Sequence, residues 1–312
     1  MSDTDPAAES SCVALLDDAG LLLASGADAR SFLHAQLTSD VQNLAPGAAR
    51  RAGWCSAKGR LLATMLVIPA GEDRFLLQVS ASVASPVAKR LSMFVLRAKA
   101  RIEDVGTQWR QYGLFGAEVP RALERAGLEA PAAPLACTQA ADGTVALRID
   151  AQRVLMLVPA ARADAVRAAL ALPAAPAARW RVEDIRAGLP GVVAATQDLF
   201  VPQMVNLELL GGVDFKKGCY PGQEVVARTQ YRGQLKRRMV RARVAGPSAL
   251  QPGQDLYGDD GQPAGTVVNA VAGTDATELL AVLPLGALEA GTPIRIAPGG
   301  AAIEVLPLPA AA

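Results

Sequence analysis

Two stretches of this chain, FLLQVSASVASPVAKRLSMF (75–94) and VLMLVPAARADAVRAALAL (154–172), follow one plan: an apolar strand, a short turn, then an amphipathic helix. Val87 and Leu91 stand at the same offsets from Phe75 as Val166 and Leu170 do from Val154. A strand-helix unit used twice points to an α/β body built from two related halves, although two ordinary strand-helix units produce the same match. Upstream, LLDDAGLLLASG (15–26) reads as a strand, a turn at Asp18 to Gly20 and a second strand. Asp28 can then cap a helix over ADARSFLHAQLTSDV, in which Phe32, Leu33, Gln36 and Leu37 fall at helical spacing. EAPAAPLA (129–136) and ALPAAPAAR (171–179) cannot sustain strands and read as surface connectors. From Met239 onward turn signals at QPGQ, YGDDGQPAG, VAGTD and EAGTP separate short β-rich runs, so the last seventy or so residues, about a quarter of the chain, read as a small β-barrel or sandwich.

A chain of 312 residues can bury a large core and hold about two or three domains. Its formal net charge of +1 excludes a protein that coats nucleic acid with its whole surface, yet leaves room for a local basic face. The opening MSDTDPAAES is acidic and polar where a secretory signal is basic and then apolar, and no uninterrupted apolar run has membrane-spanning length. The expectation is a soluble, cytoplasmic protein without a membrane partner, whose cysteines are thiols. Cys12, Cys55, Cys137 and Cys219 are far apart, with no CxxC pair, so no metal site is expected from this chain alone.

The segment richest in chemistry is KGCYPGQE (217–224). Pro221 suits the first position of a helix continuing through GQEVVARTQ, which would set Cys219 at or just before a helix N-terminus beside Lys216 and Lys217. Such a setting favours thiolate, as a reactive cysteine needs; a small buried hydrophobe in a tight turn is the equal alternative. Gly218 and Gly222 permit backbone approaches closed to other residues. Glu224 can accept from a ligand amine or pair with Arg228 one helical turn on. Lys216, Lys217, Arg228, Arg232, Lys236, Arg237 and Arg238 stand against the single acid Glu224, a cluster that is either a solvated face or a seat for a polyanion. His34, the only histidine, is assigned no role, and with no histidine near Cys219 in the sequence a Cys-His dyad is not expected. Trp54, Trp109 and Trp180 are candidate flat walls for a ring-shaped ligand, with core packing as the default.

Taken together, AGLPGVVAATQDLFVPQMVNLELLGGVDFKKGCYPGQEVVARTQYRGQLKRRM (187–239), GADARSFLHAQLTSDV (26–41), AKGRLL (57–62) and FVLRAKARIEDV (94–105) resemble the YgfZ family, folate-binding relatives of the glycine-cleavage T-protein. The resemblance implies an α+β, T-protein-like fold: two pseudo-symmetric α/β portions over 12–236 and a C-terminal β-barrel over 237–312 around a central cavity, with 1–11 a disordered tail. It implies a tetrahydrofolate or one-carbon derivative as cofactor. Implied partners are iron-sulfur enzymes such as those that modify tRNA, with a weak tRNA contact through the basic cluster. It makes Cys219 the functional residue, inside a signature of Lys217, Gly218, Tyr220, Gly222, Gln223 and Glu224, and makes Trp180 and Arg228 folate contacts. Two departures stand out. Ala19 occupies the place of the family's second folate-side tryptophan, a loss of about 1 kcal/mol beyond buried area. Ala63 and Thr64 occupy the places where the aminomethyltransferase branch carries an aspartate pair, which removes the carboxylate that would exchange a proton at the folate nitrogen. The resemblance therefore implies an accessory protein; a folate-dependent one-carbon transferase is the alternative.

Overall fold

In the computed structural model, which describes residues 10–231 and 235–309, the chain forms two units. The first comprises the residues through Leu33, Val41–Arg50 and Leu66–Trp180; the second comprises His34–Asp40, Arg51–Met65 and the residues from Arg181 onward. In chain order the first half carries β1 (Cys12–Leu15), β2 (Ala19–Ser25), α1 (Ala29–Gln36), β3 (Arg50–Cys55), β4 (Leu61–Pro69), β5 (Arg74–Ser80), α2 (Ala81–Ser92) and β6 (Arg101–Asp104). Next come β7 (Trp109–Phe115), α3 (Val119–Arg125), β8 (Cys137–Gln139), β9 (Val145–Arg148), β10 (Arg153–Pro159), α4 (Ala163–Leu170), β11 (Ala174–Ala175) and α5 (Ala177–Arg186). The remainder is α6 (Gln223–Tyr231), β12 (Arg237–Ala245), β13 (Asp255–Tyr257), β14 (Pro263–Ala272), β15 (Ala276–Pro284), α7 (Leu285–Glu289) and β16 (Glu304–Leu306). The disordered tail expected over 1–11 falls, for residues 1–9, outside the described residues, as does Arg232.

In the first unit, β10 reads RVLMLVP and buries six consecutive residues, the mark of a strand covered on both faces. The period of two divides them. Val154, Met156 and Val158 join Val166 and Leu170 of α4 and Val119, Ala122 and Leu123 of α3 in one core. The opposite face carries Leu155, whose cross-strand partner on β7 is Gly113. That glycine is required by its neighbour: a β-carbon there would stand 2.1 Å from Cε3 of Trp180. The Trp180 ring, 4% exposed, meets the edge of Phe115 at a centroid distance of 5.3 Å and carries the Arg153 guanidinium 4.9 Å from its centroid. The sheet order is β11-β1-β7-β10-β9-β8.

The other strand-helix unit, β5 followed by α2, sits in the sheet β3-β4-β5-β2-β6, with Val87 and Leu91 buried as the periodicity requires. Two strands separated by a turn do form around LLDDAGLLLASG, but the first, β1, lies upstream at Cys12–Leu15, Ala19 and Gly20 belong to β2 rather than to the turn, and the two strands do not pair with each other. β1 joins β7 and β11, whereas β2 joins β5 and β6. The Asp28 carboxylate accepts from the Lys99 N–H at 2.7 Å, so it ties a distant loop to the start of α1.

The second unit is organised by β15, ATELLAVLP, again apolar on both faces. Leu279, Ala281 and Leu283 pack with Ala242, Val244, Leu256 and Ile303. Leu280 and Val282 face Ile185, Val192, Phe200, Val205 and Cys55. A bulge between Val267 and Asn269 in β14 re-aims Asn269, whose side-chain amide accepts from the Gly191 N–H at 2.8 Å and donates to the Gly191 carbonyl at 3.0 Å. The C-terminal sheet is antiparallel, ordered β13-β14-β15-β12-β16, and is not closed as a ladder. Only the single bridges Tyr257 to Arg295 and Arg295 to Ala302 span the interval between its edge strands, because PIRIAPGG turns too soon for a full strand.

Two outcomes are expected. Gly113→Ala forces a methyl against a ring that cannot retreat, and should lower stability by about 1–3 kcal/mol in urea unfolding, with most of the loss absent in a Trp180→Leu background. Burial pushes the Cys55 thiol from its ordinary value of 9.0 to about 12. The fold therefore keeps this proton while the unfolded chain sheds it, and stability falls by about 1.4 kcal/mol per pH unit between those two values. The stability gap between parent and Cys55→Ala should narrow at that rate as pH rises from about 9; a constant gap would contradict the assignment.

Candidate functional site

The KGCYPGQE loop belongs to the second unit and is fixed there from both ends. At its entrance Thr38, fully buried, donates from its hydroxyl to the Gly212 carbonyl at 2.5 Å and accepts from the Gly53 N–H at 2.7 Å. The Asp214 N–H donates to the Thr38 carbonyl at 2.9 Å, and the Asp214 carboxylate accepts from the N–H groups of Lys216 and Lys217 at 2.8 and 3.2 Å. These bonds turn the Lys217 side chain inward rather than toward water. Its Nζ donates to the His34 carbonyl at 2.6 Å and the Gly218 carbonyl at 3.1 Å, and stands 4.8 Å from the Tyr220 ring centroid. Burial lowers the Lys217 pKa, opposed by the charges of Asp40, Asp214 and Cys219. Tyr220 is buried beneath it, and burial raises its phenol pKa, reinforced by Cys55.

At its exit the loop is held by two glycines meeting backbone to backbone. Gly222 has φ 78°, and a β-carbon on it would stand 2.4 Å from the Ser56 carbonyl oxygen and 2.6 Å from Cα of Gly59. Gly59, in the AKGR turn, has φ 70°, and its own β-carbon would stand 2.8 Å from Cβ of Val225 and 3.1 Å from the Gly222 carbonyl oxygen. Helix α6 starts at Gln223, with the Gly222 carbonyl accepting from Val225 and Val226. Pro221 thus belongs to the turn before the helix, and Cys219 precedes the first helical residue by a whole turn of sequence, further than expected.

Between these anchors Cys219 is exposed, as is Gly218. Gln203, buried, caps the loop's far side by donating to the Val226 carbonyl at 2.7 Å. Glu224 and Arg228 lie exposed on α6. The basic cluster is smaller than its residue count: Arg238 bonds the Glu208 carboxylate at 2.7 Å and the Asn206 amide oxygen at 2.9 Å, and Lys217 is turned inward. Lys216, Arg228, Lys236 and Arg237 remain exposed. Trp180 lies in the first unit with its ring engaged as described; Trp54 is buried in the second, and Trp109 is half-buried at the start of β7. Thr64 uses its hydroxyl structurally, accepting from the Val192 N–H at 3.0 Å and donating to the Pro190 carbonyl at 3.2 Å, while Ala63 is buried. Ala19 presents its carbonyl to the Gln111 amide.

Sequence reasoning passed over His34. The structure brings it to the loop: Nδ1 lies 3.1 Å from the Asp40 carboxylate, and Nε2 lies 3.6 Å from where a β-carbon on Gly218 would be. No spacing signals this, since α1 ends at Gln36 and the chain must double back to return Asp40 to residue 34. Among the described residues no three His, Cys, Asp or Glu side chains gather as a metal-binding group.

Comparison with known proteins agrees with the resemblance read from the sequence. The GCVT N-terminal domain family matches residues 13–147. The proteins named tRNA-modifying protein YgfZ from Shigella sonnei (strain Ss046) and Escherichia coli (strain K12 / DH10B) are each 29% identical over 300 residues, covering 94% of this chain and 91% of theirs. The crystal structure of glycine cleavage system aminomethyltransferase T from Bartonella henselae superposes with a TM-score of 0.78 at 18% identity, covering 97% of this chain and 87% of that one, and so shares its fold. The chain is thus similar along nearly its whole length to proteins named tRNA-modifying protein YgfZ, and it has the fold of the glycine cleavage T protein.

Proposed function

We propose that this protein is a folate-binding accessory protein supporting the assembly or repair of iron-sulfur enzymes, tRNA-modifying enzymes among them, with Cys219 as its working thiol. The observation that carries this reading is the exposed Cys219 on a loop whose two ends are clamped by buried groups. A thiol that served only packing would be covered, as Cys12 and Cys55 are. The relatives that match over 94% of the chain are named for tRNA modification. The same reading carries a cytoplasmic location and two pseudo-symmetric portions over 12–236. Among the described residues no helix is long and apolar enough to cross a membrane.

A reduced folate, when bound, supplies a nitrogen able to carry a one-carbon unit. Arg228, exposed on α6, has the charge to meet a folate carboxylate. Trp180 has the flat ring to meet a pterin, but Arg153 and Gly113 already occupy it, so Arg228 is the better supported of the two contacts. No carboxylate stands at 63 or 64, and the Thr64 hydroxyl is spent on Pro190 and Val192. Aminomethyl transfer is therefore the weaker reading. A tRNA contact through this face would rest on Lys216, Arg228, Lys236 and Arg237, and would weaken with salt.

Cys219→Ala should unfold at the parent's urea midpoint yet fail to restore modification of tRNA by iron-sulfur enzymes in a strain lacking the protein; full restoration would remove the thiol from the reading. In calorimetric titration with tetrahydrofolate, Arg228→Ala and Trp180→Ala should each weaken binding about tenfold, or about 1.4 kcal/mol. Trp180→Phe, which keeps an aromatic ring in the core, separates loss of a ligand wall from loss of packing. Equal curves for Trp180→Ala and parent would confine Trp180 to the core.

A further inference from the structure

Of the eight large apolar side chains that stand exposed among the described residues, three fall at positions 93–96 of the first unit: Met93 at 70%, Phe94 at 46% and Leu96 at 87% exposure. Single exposed apolar residues are ordinary, whereas three within four positions form a patch. The backbone beneath them is pinned at both ends. Helix α2 ends at Ser92, whose hydroxyl lies within hydrogen-bonding reach of the Ala88 carbonyl at 2.9 Å and of the Ile102 carbonyl in β6 at 3.2 Å. The N–H groups of Met93, Phe94 and Val95 return to the carbonyls of Arg90, Leu91 and Ser92. Lys99 is held through its main chain: its N–H donates to the Asp28 carboxylate at 2.7 Å, and its carbonyl accepts from the Asp28 N–H at 3.1 Å. Gly26 is pressed so near that a β-carbon on it would overlap the same carbonyl oxygen. Residues 92–102 therefore make a compact surface loop closed at its base.

Cations frame the apolar side chains. Lys89 stands one helical turn before Met93, and Arg97 and Lys99 follow Leu96, all three exposed. The acids nearest in sequence are engaged: Asp28 holds the Lys99 backbone, Glu103 pairs with Arg101 at 2.9 Å, and Asp104 accepts from the Gly106 N–H at 3.1 Å. In a chain of net charge +1 this is a local excess of positive charge around exposed hydrocarbon.

We propose that the loop over residues 92–102 is a docking surface for an acidic, amphipathic segment of a partner protein, whose apolar side chains cover Met93, Phe94 and Leu96 while its carboxylates meet Lys89, Arg97 and Lys99. The surface belongs wholly to the first unit and needs neither Cys219 nor a folate, so it goes beyond the proposed function. An RNA is the poorer fit: the side chains of Met93 and Leu96 have no ring on which a base can stack and no donor for a phosphate. A bilayer is also the poorer fit. Three such side chains hold about as much apolar carbon as one fatty acyl chain, which by itself binds a membrane only marginally.

The probe is a fluorescein-labelled peptide of about fifteen residues, long enough to form a helix against a surface, with Glu along one face and Leu and Phe along the other. It is titrated with the full-length protein by fluorescence anisotropy at about 50 mM salt, and micromolar binding is expected. Met93→Ser combined with Leu96→Ser should weaken binding about tenfold, and so should Arg97→Glu combined with Lys99→Glu. Both proteins should keep the parent's urea midpoint, because every side chain changed is exposed. Replacing the peptide's Leu and Phe by Ser, or its Glu by Gln, should cost about the same factor. With a benzophenone in place of one peptide Phe, the photo-cross-link should map by mass spectrometry within residues 89–101. A cross-link that maps elsewhere overturns the proposal, as do equal binding by the parent and both double variants, and no binding at about 1 mM protein. Tighter binding of bulk tRNA, or of vesicles of phosphatidylserine and phosphatidylcholine, that is lost on changing Met93 and Leu96 to Ser also overturns it, and makes the occupant an RNA or a membrane.

Discussion

The second unit depends on one ammonium group taken out of water. Lys217 is 9% exposed, and moving a lysine from solvent costs several kcal/mol unless its protons find acceptors. Here they find the carbonyls of His34 and Gly218, with the Tyr220 ring beneath. Hydrogen bonds from a charged donor are worth about 1.5–3 kcal/mol each, enough to offset much of that cost. Burial lowers the lysine's pKa, against the opposing attraction of Asp40, Asp214 and Cys219. An arginine would not serve, since its planar fork cannot close on two carbonyls at this depth over a ring in the same way as a compact ammonium. What the lysine fixes is the relation between residue 34 and residue 218, and hence the setting of the thiol that follows.

Much of the fold was legible because burial leaves a period in the sequence. β10 and β15 announce themselves as unbroken apolar runs, and α2 and α4 as stripes that put Val87, Leu91, Val166 and Leu170 inward. Pairing was not legible. β1 and β2 are separated by a tight turn, which favours a hairpin, yet each is claimed by strands far away in sequence that match its apolar face. The barrel expectation followed turn spacing, whereas closure depends on backbone register at the edges, which turn spacing does not encode.

The site divided along the same line. KGCYPGQE and its exposed cysteine could be found as a contiguous string, because local composition marks them. Thr38, Gly59, His34 and Asp40 could not, because they come from segments more than a hundred residues away and are joined to the loop only by the fold. Counting charges misled for the same reason: Arg238 belongs to a half-buried arrangement with Glu208 and Asn206, and no tally of neighbours along the chain reveals a partner thirty residues distant.

The meeting of Gly59 with Gly222 bears on how the molecule is made. About half the chain separates them, so a chain emerging from the ribosome carries the AKGR turn long before its counterpart exists. Until then that turn has nothing to pack against, and afterwards the two must come together with neither side chain nor slack between them. The setting of the cysteine therefore cannot be completed until synthesis has passed residue 222, and the C-terminal sheet is still to be made when it is.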